Sequence, residues 1–456
     1  MSQLVVMSPQ YLVQHFSPSR GAIEGSTATF GAPFYGDRVL GKLVYGKSTK
    51  NKNYCDTDDY DFGPDQPAPS GSYKDVRLIN IVLVKRGGCS FTQKVRVAVE
   101  KGAHAVVIVD KPESTLTAKD LRNIIVADDG FGGNIKIPSI LISKEDGKHL
   151  LDAVEQKSQV VVELAWNLPT NKVVQLDLWM SSASQESLKF LRDFAKTRRT
   201  LNDVMSFQPH YAVFSMAKGD PSVSGGLCLD STGKFCAEDP DGAGPRTGKD
   251  VLMENVRQLC LHETYKKKRQ TRDVNLEGAT EVWYAQEFWN YIEKLLERCP
   301  LDKFGEECSK ALMQEVGVDY AKISSCVDQT LDAKLEYERE HSAWSPRALR
   351  INGWRYSGIL EPDLVTRAIC SGFSVQPKEC SDLIKPRDPF VPFAAQQEGV
   401  SFGTLLAWLL GTLVLAFVAL LVYKRFLKKE MRATLREEVM LEVQAQMGEY
   451  RKMQGN

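Results

Sequence analysis

The chain has 456 residues and balances 58 Lys and Arg against 58 Asp and Glu. That length exceeds one ordinary core, since domains run to roughly 100–200 residues, so two or three folded units are expected. Zero net charge argues against a nucleic-acid binder, whose footprint is a basic excess. A hydrophobic content of 43% excludes a mainly disordered chain.

The opening MSQLVVMSPQYLVQHF has neither a basic start nor a continuous apolar core. It is not a secretory signal, and the start is read as truncated or processed. Residues 1–166 then carry short β-type runs: VLGKLVYG (39–46), LINIVLVKR (78–86), AVVIVD (105–110), IPSILIS (137–143) and QVVVELAW (159–166). Helical stretches lie between them at FTQKVRVAVEKGA (91–103) and KEDGKHLLDAVEQK (144–157). After Thr92 the apolar residues fall at helical spacing, and Gly102 stands where a helix stop belongs. Strands alternating with a few helices predict an α/β or mixed module.

The polar bend NLPTNK (167–172) opens a second section, 173–375. VVQLDLWMS (173–181) reads as a buried strand, QESLKFLRDFAKTRR (185–199) as an amphipathic helix and HYAVFSMA (210–217) as a strand. A Cys- and Gly-rich loop (219–248) and a run of helices follow. The strand-rich ALRINGWRYSG (348–358) and a helix at EPDLVTRAICSG (361–372) close the section. This order predicts a thioredoxin-like fold with an inserted helical lobe. Residues 376–400 read as a stalk.

From Leu405 to Tyr423 nineteen residues carry no charge. With Phe402–Thr404 the run is long enough for a hydrocarbon core roughly 30 Å thick. Residues 402–423 are therefore expected to span a membrane. Lys424, Arg425, Lys428, Lys429, Arg432 and Arg436 follow, whereas residues 381–400 hold only Lys385 and Arg387. The positive-inside rule puts residues 1–400 in the lumen and the tail, 424–456, in the cytosol. The tail is helix-prone, with Leu435, Val439 and Val443 a turn apart, and is expected to be amphipathic near the bilayer. All ten cysteines precede the span and none forms C-x-x-C. Disulfides in an oxidising compartment are expected, rather than a zinc ribbon or a dithiol redox site.

No H-E-x-x-H or G-x-S-x-G pattern occurs, and no nucleophile–base pair is visible. The reading is therefore a non-enzyme with no catalytic residue, no cofactor and no metal. The informative segment is Lys85-Arg86-Gly87-Gly88-Cys89-Ser90-Phe91. It joins a strand to a helix, and its glycines permit a tight loop. Backbone N–H groups at a helix start suit carboxylates and carbonyls, and Arg86 adds a guanidinium fork. Cys89 is a candidate partner for Cys55. Arg86 is alternatively a partner for the acidic segment NYCDTDDYDF around Cys55.

VLVKRGGCSFTQKVRVAVEKGAHAVVIVD, continued by NIKIPSILIS, resembles the core of a protease-associated domain. More narrowly, residues 5–380 with the span and tail resemble plant-type vacuolar sorting receptors. LDLWMS, FCAEDPDG, GKDVLMENVRQLC, EECSKALMQEVGVD, INGWRYSG and AICSGF stand in that family's order. The resemblance implies a protease-associated cargo-binding domain (1–166), a Cys-rich thioredoxin-like domain (173–375) and a single transmembrane helix. It implies cargo binding by Arg86, Gly87, Gly88, Ser90 and Phe91, with Phe91 alternatively a core residue. Asp128 and Asp129 face the same region by resemblance. The implied partners are soluble vacuolar proteins with Asn-Pro-Ile-Arg-type signals and, through the tail, clathrin adaptors. The implied compartments are Golgi, trans-Golgi network and prevacuolar or endosomal membranes.

The chain departs from that pattern. EGF-like repeats are absent between Cys380 and the span, and Ser181, Ser182 and Ser184 replace cysteines often found after LWMS. Pro346 stands one residue early against the family's L-P-T-L pattern. Two tail signals are candidates: Tyr450-Arg451-Lys452-Met453, which fits Y-x-x-Φ, and Met440-Leu441, a dileucine-type pair after acids. The alternative reading is a membrane-anchored protease-associated-domain protein with a redox, peptidase or ubiquitin-ligase-linked role. Against the ligase, the tail lacks the Cys and His of a RING.

Overall fold

The computed structural model describes residues 2–19, 21–48, 54–61, 73, 75–121, 123–221, 223–241, 244–269, 282–391 and 402–453. They form two compact units, 1–393 and 394–456. The larger unit begins with seven strands: β1 (Ser2–Ser8), β2 (Ala22–Thr27), β3 (Arg38–Tyr45), β4 (Ile79–Lys85), β5 (Ala105–Val109), β6 (Ser139–Ile142) and β7 (Val161–Trp166). They close into a barrel in the order β1-β2-β6-β5-β4-β3-β7. β3, β4, β5 and β6 run parallel, and the other pairings are antiparallel.

The two longer helices that dress this barrel are α1 (Phe91–Glu100), the β4–β5 crossover, and α2 (Lys144–Glu155), after β6. Parallel strands need such crossovers, which cover their outer faces and make the strands read as continuous apolar runs. β4 shows this: Ile81 and Leu83 join the inner core, while Val82 and Val84 join a second core with Val95, Val97 and Ala98 of α1. The N-cap of α1 is Ser90, whose Oγ accepts from the Gln93 N–H, so the helix begins at Phe91, one residue before Thr92. β1 and β2 were not legible in the sequence. β1 nevertheless pairs with both β2 and β7 and closes the ring.

The second half is a four-stranded sheet of β8 (Val174–Met180), β9 (Met205–Tyr211), β10 (Leu349–Ile351) and β11 (Trp354–Arg355), ordered β9-β8-β10-β11. α3 (Gln185–Thr200) links the parallel pair β8 and β9. Its N-cap is Ser184, and Ser182 is bound to α4 (Gly248–Tyr265) through Val251 O and Asn255 Oδ1. The expected strand at 210–217 is corrected to 205–211. Pro209 broke the pattern, yet it is tolerated because β9 is an edge strand. β10 and β11 form the hairpin, turning on Asn352 and Gly353, both at positive φ.

The inserted lobe comprises α4, α5 (Gln286–Arg298), α6 (Glu306–Glu315) and α7 (Tyr320–Glu340). Cys260–Cys326 ties α4 to α7, and Cys299–Cys308 ties α5 to α6. Helix α8 (Pro362–Ser371) closes the fold, tied by Cys370–Cys380 to α9 (Lys378–Leu383). The first part of the expected stalk is therefore folded. Arg387 donates to the carbonyls of Ala32 and Pro33, and Arg77 lies over the Phe390 ring at 3.6 Å. The barrel and the sheet share a seam: Tyr35 stacks on Tyr356, accepts from the Ser357 N–H, and Arg355 reaches Ser26 Oγ.

The described residues of the second unit form one helix, α10 (Phe402–Met453), 52 residues without a break. Its segment Trp408–Lys428 is, among the described residues, the one stretch long and apolar enough to cross a membrane. That lies a few residues beyond the 402–423 expected.

A buried charge network locks the lobe to the sheet. His210 on β9 lies 3.2 Å from Glu338 of α7 and 3.8 Å from Asp177 of β8, and stacks on Trp179. Burial alone would depress its pKa, but hydrogen bonds and charge from Asp177 and Glu338 outweigh it and lift it to about 9. A raised folded-state pKa stabilises fully below the ordinary value of about 6.5 and is lost as pH rises to about 9. Thermal denaturation of the intact protein is expected to give a lower Tm at pH 9 than at pH 6. His210→Ala should lower stability by about 3 kcal/mol, because Glu338, still met by the Tyr211 N–H, is left buried without this cationic partner, and should flatten that pH dependence. An unchanged pH slope in the variant would remove His210 from this role.

Candidate binding loop at the ends of the parallel strands

The loop after β4 is built by three local constraints. Gly87 (φ +116°) and Gly88 (φ +82°) occupy backbone conformations that side chains resist, and a Cβ on Gly87 would meet open space. Gly87 and Cys89 bridge across this turn. Cys89 is bonded to Cys55, and Gln93 of α1 donates to the Cys55 carbonyl at 2.8 Å, so the segment before the loop is tied to it twice. Lys94 is buried beneath, its Nζ 3.7 Å from Cys55 Sγ. Burial pushes its pKa down to about 8 against the opposing pull of Asp59.

Arg86 does not pair with the acidic segment around Cys55. Its Nη1 lies 3.0 Å from Oδ1 of Asp110, whose side chain is fully buried at the end of β5. The reason is register: Lys85 stands opposite Val109, so the next positions bring Arg86 to Asp110. The acids near Cys55 are engaged locally, Asp59 with the N–H groups of Cys55 and Asp56 and Asp61 with Lys101. Arg86 also lies 5.4 Å over the Phe91 ring, and its side chain is 30% exposed. Phe91 is half-buried against the outer core, whereas Gly88 and Ser90 are exposed.

A second loop joins the first. Asp128 Oδ1 accepts from the N–H groups of Gly130 and Gly132, which shapes the turn. The hydroxyls of Ser90 and Thr92 hold the Asp129 carboxyl below its ordinary range. Asp129 thus bridges the loop to the start of α1, and Phe131 beside it is 75% exposed. The geometry therefore brings Arg86, Gly87, Gly88, Ser90, Phe91 and Asp129 into one region, with Asp128 shaping its second loop. Asp110 and Phe131 are additions. Asp110 had a signal in the charge that ends AVVIVD; Phe131, in a glycine-rich loop, had none.

The tail residues lie in the other unit. Met440 and Leu441 are exposed on α10, and Tyr450–Met453 form its last residues. Elsewhere, all ten cysteines are in disulfides, including Cys228–Cys236. Among the described residues no group of three His, Cys, Asp or Glu is arranged to hold a metal ion.

The fold defines a membrane protein with a barrel domain, whose disulfide-pinned loop stands at the ends of its parallel strands, and a sheet-and-helix domain after it. Residues 39–150 match the PA domain model, and residues 174–370 match the vacuolar sorting receptor thioredoxin-like domain model. Vacuolar-sorting receptor 4 of Arabidopsis thaliana is 29% identical over 416 residues, 83% of this chain and 60% of that protein. Vacuolar-sorting receptor 1 of Pisum sativum is 30% identical over 406 residues, 82% and 59% respectively. The E3 ubiquitin-protein ligase RNF133 of Rattus norvegicus is 31% identical over 145 residues, 31% of this chain and 34% of that protein. The chain is a relative of the vacuolar-sorting receptors, with a protease-associated domain followed by their thioredoxin-like domain. It spans about 60% of the length of the receptor relatives it matches.

A depressed carboxyl pKa contributes above the ordinary carboxylate range and is lost only as pH falls below it, so the Asp129 bridge is expected to survive at pH 5. Hydrogen exchange of residues 86–93 should be alike at pH 7 and pH 5 after correction for intrinsic rates. Asp129→Asn should speed it at both pH values; equal protection in variant and wild type would show that the bridge does not order the loop. Replacing Cys55 and Cys89 together by Ser should lower stability by about 2–4 kcal/mol in denaturant titration, since their bond closes a 34-residue separation.

Proposed function

We propose that the protein is a single-pass type I cargo receptor that binds sorting-signal peptides of soluble vacuolar proteins and recruits coat adaptors through its tail. The observation that carries this reading is the order of a PA domain, a receptor-type thioredoxin-like domain and one apolar span in a chain of which 82% aligns with a vacuolar-sorting receptor. The chain divides in this reading into a cargo-binding domain (1–166), a central domain (173–375), a connection to the membrane, a span and a cytosolic tail. Golgi, trans-Golgi network and prevacuolar membranes are its compartments.

Recognition, not bond chemistry, is the mechanism. The Arg86 guanidinium retains donors beyond the one given to Asp110 and offers them to a carbonyl or carboxylate of an extended Asn-Pro-Ile-Arg-type peptide. Gly87 and Gly88 let the peptide approach the backbone, Ser90 lines the helix start, and Asp128 and Asp129 hold the neighbouring loop. Phe91 supports Arg86 from below. In the tail, Tyr450 with Met453, or Met440 with Leu441, engages clathrin adaptors. None of the five disulfides joins a C-x-x-C pair, the spacing of a dithiol redox site.

The test is titration of an Asn-Pro-Ile-Arg-containing peptide and its scrambled control against the intact protein in detergent, at pH 7 and pH 5. Selective binding at pH 7 is expected, weaker in acid. Arg86→Ala should weaken it at least about tenfold, or 1.4 kcal/mol. Selective binding untouched by Arg86→Ala would move the site away from this loop. Equal binding of signal and scrambled peptides by the folded, oxidised protein would overturn the reading.

A further inference from the structure

We propose that residues 424–436 of α10, at the end of the membrane span and just beyond it, form a binding stripe for phosphoinositide headgroups of the adjoining leaflet. Lys424, Arg425, Lys428, Lys429, Arg432 and Arg436 all lie on this one unbroken helix. At about 100° per residue, their six positions fall within an arc of about 140°, along about 18 Å of axis. The positions of Glu430, Glu437 and Glu438 fall on the opposite side by the same rotation. Lys424, Arg425, Lys428 and Arg436 are exposed.

The charge pattern lacks internal compensation. Helical neighbours stand three or four positions apart, and no Asp or Glu occupies such a position relative to any of the six. Each is instead adjacent to another of the six: 424 to 428, 425 to 428 and 429, 428 and 429 to 432, and 432 to 436. Such like-charge pairs, about 5–6 Å apart, oppose the helix unless an anion lies between them. A topogenic flank needs only a number of positive charges; it does not need them on one face.

Location and valence select the occupant. The stripe begins inside the last residues of the Trp408–Lys428 span, so its first turns sit at headgroup level, within a Debye length of about 8–10 Å. An inositol ring with two or more phosphates carries several anionic groups on one small frame and can answer two rows of the stripe at once. Phosphatidylserine, with one net charge, answers one cation at a time.

The experiment reconstitutes the full-length protein, labelled with a fluorophore near Asn456, into nanodiscs of phosphatidylcholine. Energy transfer is read to headgroup-labelled phosphatidylinositol 4,5-bisphosphate, competed by unlabelled lipids at matched total charge. The bisphosphate should compete at least about fivefold better than phosphatidylserine. Lys428→Gln, Lys429→Gln and Arg432→Gln together should abolish the transfer. A variant that adds Leu427→Lys, Ala433→Lys and Thr434→Arg restores the net charge on the opposite face and should remain at background. Protease protection selects discs in which every variant spans normally. Equal competition by phosphatidylserine, persistence of transfer in the neutralised variant, or recovery in the relocated-charge variant would each overturn the stripe. Peptide binding by Arg86 is read independently, so failure here leaves the receptor reading standing.

Discussion

Closure of the barrel by its first strand is the constraint on which the larger unit depends. β1 satisfies the open edges of both β2 and β7. An unclosed sheet would leave two rows of backbone donors and acceptors to water or to another chain. Closure also fixes β4 and β5 in the parallel part of the ring, buried on both faces. Only with that register settled does Arg86 meet Asp110, and only then do the glycines after it have a fixed place to turn. The loop is thus the outlet of a backbone pairing begun almost eighty residues earlier.

The same economy of support recurs at the seam. Tyr35 and Tyr356, Ser26 and Arg355, and the Arg387 clasp on the Ala32 and Pro33 carbonyls bind barrel, sheet and the segment after α9 into one body. Cys370–Cys380 anchors that segment covalently at its start. In the second section the serines after β8 serve as a helix cap and as hydrogen-bond partners for α4.

Much of this was legible because local signals agreed with the fold. The run LINIVLVKR, then a glycine pair, then apolar residues at helical spacing ending at Gly102, could be placed as strand, loop and helix without tertiary information. The strand-rich run ALRINGWRYSG was placed in the same way, and it holds the hairpin of β10 and β11. What failed was what only pairing decides. SQLVVMS is too short and mixed to announce itself as the strand that closes a barrel. Pro209 disguised an edge strand whose missing N–H faces no partner. Asp110 as the partner of Arg86 depends on a parallel register between strands twenty residues apart, while nearby acids offered a closer choice in sequence. The pull of those acids was real, but backbone amides and Lys101 had already claimed them.

The unbroken α10 has a consequence for how a short signal at its end is read. Beyond Lys428 the helix continues for 25 residues, a rod of about 38 Å at 1.5 Å per residue. In the proposed reading a Y-x-x-Φ ligand docks as an added strand, so Tyr450–Met453 would have to leave the helix to be gripped. Because those residues are the last turn, only terminal hydrogen bonds need melt, and fraying at a helix end is the least costly opening a protein has. The same four residues placed mid-rod would stay closed. Distance from the bilayer and ease of unwinding are therefore set together by one geometric fact, the point at which the helix stops.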